Sequence, residues 1–108
     1  MDKMFERMRK LLDEETMFLD PFQDNFFEVF TQKRMELLRE IRTHHPSSIR
    51  ELAKFVDRDI KNVFTDLQML NSCKMIEFVN EGRSKKPVLK TQTVVFTFKR
   101  IQQGDNNE

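Results

Sequence analysis

The sequence predicts a mainly α-helical domain with a small antiparallel β-hairpin, arranged as a winged helix-turn-helix with extra N-terminal helices. Two observations lead to this expectation. The stretch from Ser48 to Asn71 has the capping residues and the apolar spacing of two helices joined by a tight turn. Two segments with period-two alternation follow it, separated by a long basic loop. In such a fold that loop is the wing.

The helix-turn-helix prediction depends on two capping residues. Ser48 and Glu51 form the S-x-x-E pattern of a capping box, in which each side chain accepts from the other residue's amide. This first helix is expected to end near Val56, and Asp59 is a suitable N-cap for the second. Inward-facing apolar residues of the second helix follow at helical spacing: Ile60, Val63, Leu67 and Leu70.

The outward face of the second helix is polar, and its side chains can hydrogen-bond to base edges or phosphates. A plain solvated face is the alternative interpretation. The predicted positions for reading DNA are Ile60, Lys61, Asn62, Thr65 and Gln68. On the first helix, Ser48, Arg50 and Lys54 are candidate contacts to the DNA backbone. Phe64 either touches thymine methyl groups or is partly buried against something else.

The predicted wing lies between the strands Met75–Val79 and Thr93–Lys99. The loop from Asn80 to Gln92 contains four Lys or Arg and a single acid, so its net charge is +3. Cations clustered in a turn raise the local potential, and phosphates are the obvious counter-charge. The predicted wing contacts are Arg83, Ser84, Lys85 and Lys86.

Residues 1–30 are expected to form an N-terminal helical extension. A helix from Asp2 to about Glu14 carries an apolar stripe that packs either on the core of its own chain or on a second subunit, and we favour the second subunit. That predicted dimerisation stripe consists of Met4, Phe5, Met8, Leu11 and Leu12. Thr16 to Leu19 is either a strand or an extended link. Asp20 would cap a further helix with Pro21 in its first position.

That further helix is expected to end near Phe30, and its aromatic face is interpreted as core or dimer interface. The face consists of Phe22, Phe26, Phe27 and Phe30. Thr31 can then cap a helix that reaches about Thr43. The apolar stripe of this helix is predicted to comprise Met35, Leu37, Leu38 and Ile41.

Charge is divided unevenly along the 108 residues, which are the length of one domain. Residues 1–30 hold four Lys or Arg and eight Asp or Glu, a net charge of −4. Residues 31–100 hold fifteen Lys or Arg and eight Asp or Glu, a net charge of +7. This division favours contact with DNA through residues 31–100 and another role for the extension. Residues 101–108 are expected to form a flexible tail.

Several function classes have little support in the sequence. No stretch approaches the roughly 20 apolar residues of a membrane span. The single cysteine, Cys73, fits a reducing compartment, so cytoplasmic residence is expected. His44 and His45 are adjacent and lack the spacing of a helical metal site. With two glycines and no recognisable catalytic set, no enzyme, cofactor or metal is expected.

Three short motifs resemble the winged helix-turn-helix regulators of the MarR/ArsR-like type, most closely the small archaeal and bacterial members. They are T-x-K-R-x-x-L-L-x-x-I from Thr31, S-I-R-E-L-A from Ser48 and R-D-x-K-N-V from Arg58. The resemblance covers residues 30 to 98. It implies a DNA-binding transcription factor, usually a homodimer, with its second motif helix in the major groove. It also implies groove-facing roles for Lys61, Asn62 and Thr65.

The expected function is therefore a sequence-specific regulator that binds double-stranded DNA as a homodimer on a near-palindromic site. The alternative is a winged-helix protein-interaction module that binds no DNA and belongs to a multi-protein complex. The sequence does not indicate the target site, an effector ligand, or whether the protein represses or activates.

Overall fold

The computed structural model describes residues 3–4, 6–7, 15–23 and 25–98 of the chain. These residues form an α/β domain that contains four helices with defined ends and a small antiparallel sheet. Among these residues, no helix is both long and apolar enough to cross a membrane. In chain order the elements are β1 Thr16–Leu19, α1 Phe26–Val29, α2 Gln32–His44, α3 Ile49–Val56, α4 Ile60–Ser72, β2 Ile76–Glu81, β3 Ser84–Leu89 and β4 Thr93–Phe96.

The three longer helices begin where the sequence predicts. Thr31, Ser48 and Asp59 each accept a hydrogen bond from an amide two or three residues further on, at 3.2, 3.0 and 3.0 Å. One half of the capping box differs from the prediction. The Glu51 carboxylate accepts from the amide and the hydroxyl of Ser47, at 2.6 and 3.1 Å, and not from the Ser48 amide. Ser48 is extended, so the Ser47 amide also faces the first turn of α3.

The core lies between α2, α3, α4 and the start of β2, and most of the predicted stripes reach it. Its buried residues are Leu37, Leu38, Ile41, Leu52, Ala53, Val63, Leu67, Leu70, Met75 and Ile76. Two residues that were predicted to face the core do not: Met35 is 48% exposed and Ile60 is 36% exposed. The buried stripe of α2 passes through Arg34, one residue before Met35. Ile60 lies in the first turn of α4, beside the exposed turn that follows α3.

Strand pairing differs from the sequence prediction. β2 pairs with β3 as an antiparallel hairpin whose two loop residues are Gly82 and Arg83. β4 pairs with β1 in parallel, with Thr16 opposite Thr93. The expected pairing of the Met75 and Thr93 segments around a long loop is therefore wrong, because half of that loop is β3. Pro87 lies within β3 and argues against a strand in the sequence, because proline lacks the amide hydrogen that a central strand needs. It is tolerated in an edge strand such as β3.

The predicted helix from Pro21 is also wrong. The Asp20 carboxylate accepts from the Phe22 amide at 2.9 Å, and the Gln23 amide donates to the Asp20 carbonyl at 3.1 Å. This local hydrogen bonding gives a turn in place of a helix start. Helix α1 begins only after Asn25, which has a left-handed backbone with φ 54°.

Upstream, Thr16–Leu19 is a strand, which decides between the two alternatives left open by the sequence. Of the predicted helix at residues 2–14, the described residues 3–4 and 6–7 are helical. The other positions fall outside the described residues, as do Phe5, Met8, Leu11 and Leu12 of the predicted dimerisation stripe. Met4, the remaining member of that stripe, is 68% exposed.

Candidate nucleic-acid interface

Helix α4 turns one face into the core and the opposite face to solvent. Val63, Leu67 and Leu70 are completely buried, which fixes the rotation of the helix about its axis. The predicted outward residues are all exposed, as expected: Lys61, Asn62, Thr65 and Gln68. The Thr65 hydroxyl donates to the Lys61 carbonyl at 3.0 Å, so that oxygen remains available to a ligand as an acceptor.

Phe64 does not lie on this polar face. Its half-buried ring packs against Phe78 of β2, with 6.3 Å between ring centres. The Lys85 ammonium of β3 lies 6.0 Å from the centre of the Phe78 ring, at the outer limit of a cation–π contact. These three side chains connect α4 to the hairpin. The polar face of α4 and the hairpin face that carries Lys85 are therefore adjacent; we call the two together the α4–hairpin surface.

The pleat of the hairpin separates the predicted wing residues. Lys85 pairs with Asn80 and shares the face of Phe78, whereas Lys86 is displaced by one residue and faces the other way. Lys86 lines a hollow of about 440 Å³ together with Arg42 and His45. Ser84 is exposed opposite Glu81, and Arg83 is exposed at the tip. The four predicted wing residues thus do not form one surface.

The predicted backbone contacts on α3 have two different roles. The Ser48 hydroxyl accepts the Glu51 amide as the helix cap, so it stabilises the helix start. Arg50 and Lys54 are exposed one turn apart and line a shallow groove of about 400 Å³ that continues to Ile60. This places two cations next to the first turn of α4.

Sequence reasoning missed an ion-pair network beneath α4. Asp66 accepts from Arg34 Nε at 2.9 Å and from Arg58 Nη2 at 2.7 Å, and all three side chains are less than one-fifth exposed. Burial alone would raise the pKa of Asp66, but hydrogen bonds and charge from Arg58 and Arg34 outweigh it and hold that pKa below its ordinary value. The only available signal was the helical position of Arg34 in line with Leu37 and Leu38.

Arg34 also joins two parts of the chain. Its Nη1 donates to the carbonyls of Glu28 and Val29, both at 3.0 Å, at the end of α1. The same guanidinium binds Asp66 in α4 through Nε. The position of α1 is therefore linked to that of α4 through one side chain.

The cysteine and the two histidines make contacts that belong to the fold. Burial raises the pKa of the Cys73 thiol, which donates to the Leu70 carbonyl at 3.4 Å. The His44 ring is stacked on Phe55 at 4.8 Å and is hydrogen-bonded to Glu40 at 2.6 Å. His45 ends α2 with a left-handed backbone. In the described ranges, no group of three or more His, Cys, Asp or Glu side chains is placed to hold a metal ion.

The α4–hairpin surface lies within residues 29–96, and the HVO_A0114 family model matches these residues. The matched segment is more than half of the chain. The chain belongs to the HVO_A0114 family. The match to the HVO_A0114 family runs from the end of α1 to the end of β4, so it includes α2, α3, α4 and the hairpin. No curated protein matches the chain.

Proposed function

We propose that the protein is a sequence-specific transcriptional regulator of the MarR/ArsR-like, winged helix-turn-helix type, which binds double-stranded DNA as a homodimer. The observation that supports this most is the Phe64–Phe78–Lys85 connection. It makes the exposed polar face of α4 adjacent to a basic hairpin. A duplex offers the matching pair of features, which are base edges in the major groove and phosphates beside them.

The side chains on α4 have the chemistry of base readout. Asn62 can bind adenine through two hydrogen bonds, and Lys61 can donate to the acceptors of guanine. Thr65 can accept from a base amino group, because its own proton is already used within the helix. The exposed part of Ile60 can contact a thymine methyl group. In this proposal α4 is the helix that lies in the major groove.

Cations on both sides of α4 would bind the DNA backbone. Lys85 and Arg83 belong to the hairpin, and Arg50 and Lys54 belong to α3. Each phosphate that a cation neutralises releases counterions, so affinity should fall steeply with salt. A homodimer would present two α4 helices to successive major grooves about 34 Å apart and would bind a near-palindromic site.

The test uses DNA sites selected by the purified full chain from a pool of random duplexes, followed by anisotropy titrations. Asn62→Ala should weaken binding to a selected site by roughly 1–3 kcal/mol and leave binding to random duplex unchanged. Neutralising Arg83 and Lys85 together should weaken binding to both duplexes and make the salt dependence shallower. The matched control is Lys90→Ala, which removes an exposed cation beyond the end of β3.

Failure to enrich any site, with salt-independent or undetectable duplex binding, would reject DNA recognition and favour the protein-interaction module. Equal losses on selected and random duplex would remove Asn62 from base readout. A Lys90→Ala effect half as large as that of the hairpin pair, in proportion to one charge against two, would show that only total charge matters.

A further inference from the structure

We propose that a second copy of this chain docks on an aromatic patch formed by the turn after β1, by α1 and by the end of β4. The patch comprises Pro21, Phe22, Phe26, Phe27, Phe96 and Phe98. This inference deepens the proposed function and rests on its homodimer. It assigns the dimer contact to residues outside the predicted stripe at residues 4–12.

The rings of the aromatic patch form a connected set. Phe22 meets Phe98 edge-on at 5.7 Å, and Phe98 lies 6.4 Å from Phe96. Phe26 is 5.0 Å from both Phe96 and Phe27 and ties the two ends together. These spacings are typical of favourable aromatic pairs. The patch is therefore one packed surface contributed by three segments of the chain.

Most of this surface is open. Phe22 is 76% exposed, Phe27 72%, Phe98 65% and Phe96 42%. At about 200 Å² per side chain, these four rings expose on the order of 500 Å² of apolar area. That value lies at the upper end of the largest apolar patch on an ordinary monomer, roughly 300–600 Å². It is also more than half of the about 800 Å² that each partner buries in a standard interface.

The chemistry of the aromatic patch favours an identical partner. A two-fold dimer brings the same residues of two copies together, so a charged patch would repel itself. None of the six residues here is charged. The patch also combines protruding rings with a hollow of about 150 Å³, which among the described residues is lined by these six. One copy can thus place a ring in the hollow of the other, and receive one in return.

The competing occupant is the N-terminal segment of the same chain. Met4, the described residue of its apolar stripe, is 68% exposed, so its side chain is not buried against the patch. The patch is also firmly attached to the DNA-reading helix. Arg34 binds the carbonyls of Glu28 and Val29 and the carboxylate of Asp66. Docking at α1 would therefore set the position of α4 through the side chain of Arg34, which is 16% exposed.

The test measures the mass of the full chain by light scattering without DNA. Refractive-index detection is needed, because the sequence has no Trp or Tyr. We expect wild type to have twice the chain mass of 13.1 kDa, and the double variant Phe22→Glu/Phe27→Glu to have 13.1 kDa. Both rings are more than two-thirds exposed, so the variant should keep the wild-type circular dichroism spectrum. Met35→Glu is the control, because it adds a carboxylate to an exposed apolar residue outside the patch and should remain dimeric.

Three results would overturn the proposal. They are a monomeric wild type at tens of micromolar, a double variant that stays dimeric, and a Met35→Glu variant that also dissociates. A double variant that loses its helical spectrum is replaced by Phe22→Ser/Phe27→Ser, to which the same criteria apply. Binding of each variant to a duplex with one half-site is measured separately, because one half-site can be bound by a monomer. If the patch variants dissociate as expected but wild type binds no duplex, the docking surface stands and DNA recognition fails.

Discussion

The α4–hairpin surface and the aromatic patch use the same residue type in opposite ways. In the α4–hairpin surface, Phe64 and Phe78 are half-buried between two elements, and the exposed residues that accompany them include the polar Asn62 and Thr65 and the basic Lys61 and Lys85. In the patch, Phe22 and Phe27 are more than two-thirds exposed, and the six described residues that form it are all uncharged. In the first region the phenylalanine rings pack two elements together, and in the second they are exposed on the surface. This difference fits the two partners that we propose, a polyanion and a second copy of the chain.

The two regions are not independent, because Arg34 touches both. It holds the end of α1, which carries part of the aromatic patch, and it holds Asp66 on α4. Arg58 binds the same carboxylate from the turn that precedes α4. A change at Asp66 should therefore disturb both regions, whereas changes on either surface should disturb only one.

The largest effect is expected for Asp66→Asn. The substitution replaces two charge-assisted hydrogen bonds with weaker ones and leaves two arginines without a counter-charge. We expect a loss of about 2 kcal/mol in the free energy of unfolding at pH 7. Urea titrations would measure this loss. Both DNA affinity and dimer mass should fall, because the residue supports both regions.

The loss should depend on pH. The arginines lower the pKa of Asp66 in the folded protein, so its stabilisation is complete above the ordinary pKa of about 4. This stabilisation is lost as the pH falls through the lower, folded-state pKa. The stability gap between wild type and Asp66→Asn should therefore narrow in acid. Asp57→Asn, at an exposed left-handed position, is the control and should cost little at any pH. A gap that stays constant down to pH 2 would contradict the role of the ion pairs.

A smaller effect is expected at the hairpin tip. Gly82 has φ +61°, and a Cβ placed there would meet no atom within 4 Å. The cost of Gly82→Ala is then backbone strain alone, about 1 kcal/mol. Because the tip belongs only to the α4–hairpin surface, duplex affinity should fall while dimer mass stays unchanged. Loss of the dimer in Gly82→Ala would show that the two regions are coupled through more than Arg34.

The sequence predicted the starts of the three longer helices well because caps are local, whereas the predicted start at Asp20 was wrong. Thr31, Ser48 and Asp59 act on amides within three residues, and the fold confirms each of them. The inward faces of α2 and α4 were mostly correct for the same reason, since helical spacing alone determines them. The polar face of α4 followed directly from its buried face.

Strand partners and ion pairs could not be predicted in this way, because they join distant residues. The β1–β4 pairing connects residue 16 to residue 93, and Arg34 meets Asp66 32 positions away. Phe64 looked out of place on a reading helix because its partner Phe78 lies beyond the end of α4. Lys85 and Lys86 lie on opposite faces because of the register of β3, and the sequence alone predicts a loop there.

The smallest predicted effect tests whether Lys85 and Lys86, on opposite faces of the hairpin, have different roles. Lys85 and Lys86 are adjacent cations, so they contribute equally to net charge and to any long-range field. The pleat nevertheless puts Lys85 on the face of Phe78 and turns Lys86 towards Arg42 and His45. If the α4–hairpin surface binds the duplex, Lys85→Ala should weaken binding roughly fivefold and lower the salt slope by about 0.9, the value for one phosphate. Lys86→Ala should change both quantities by less than half as much. Equal effects would mean that the duplex responds to the charge of the hairpin as a whole, and larger effects at Lys86 would place the DNA on the opposite face of the hairpin.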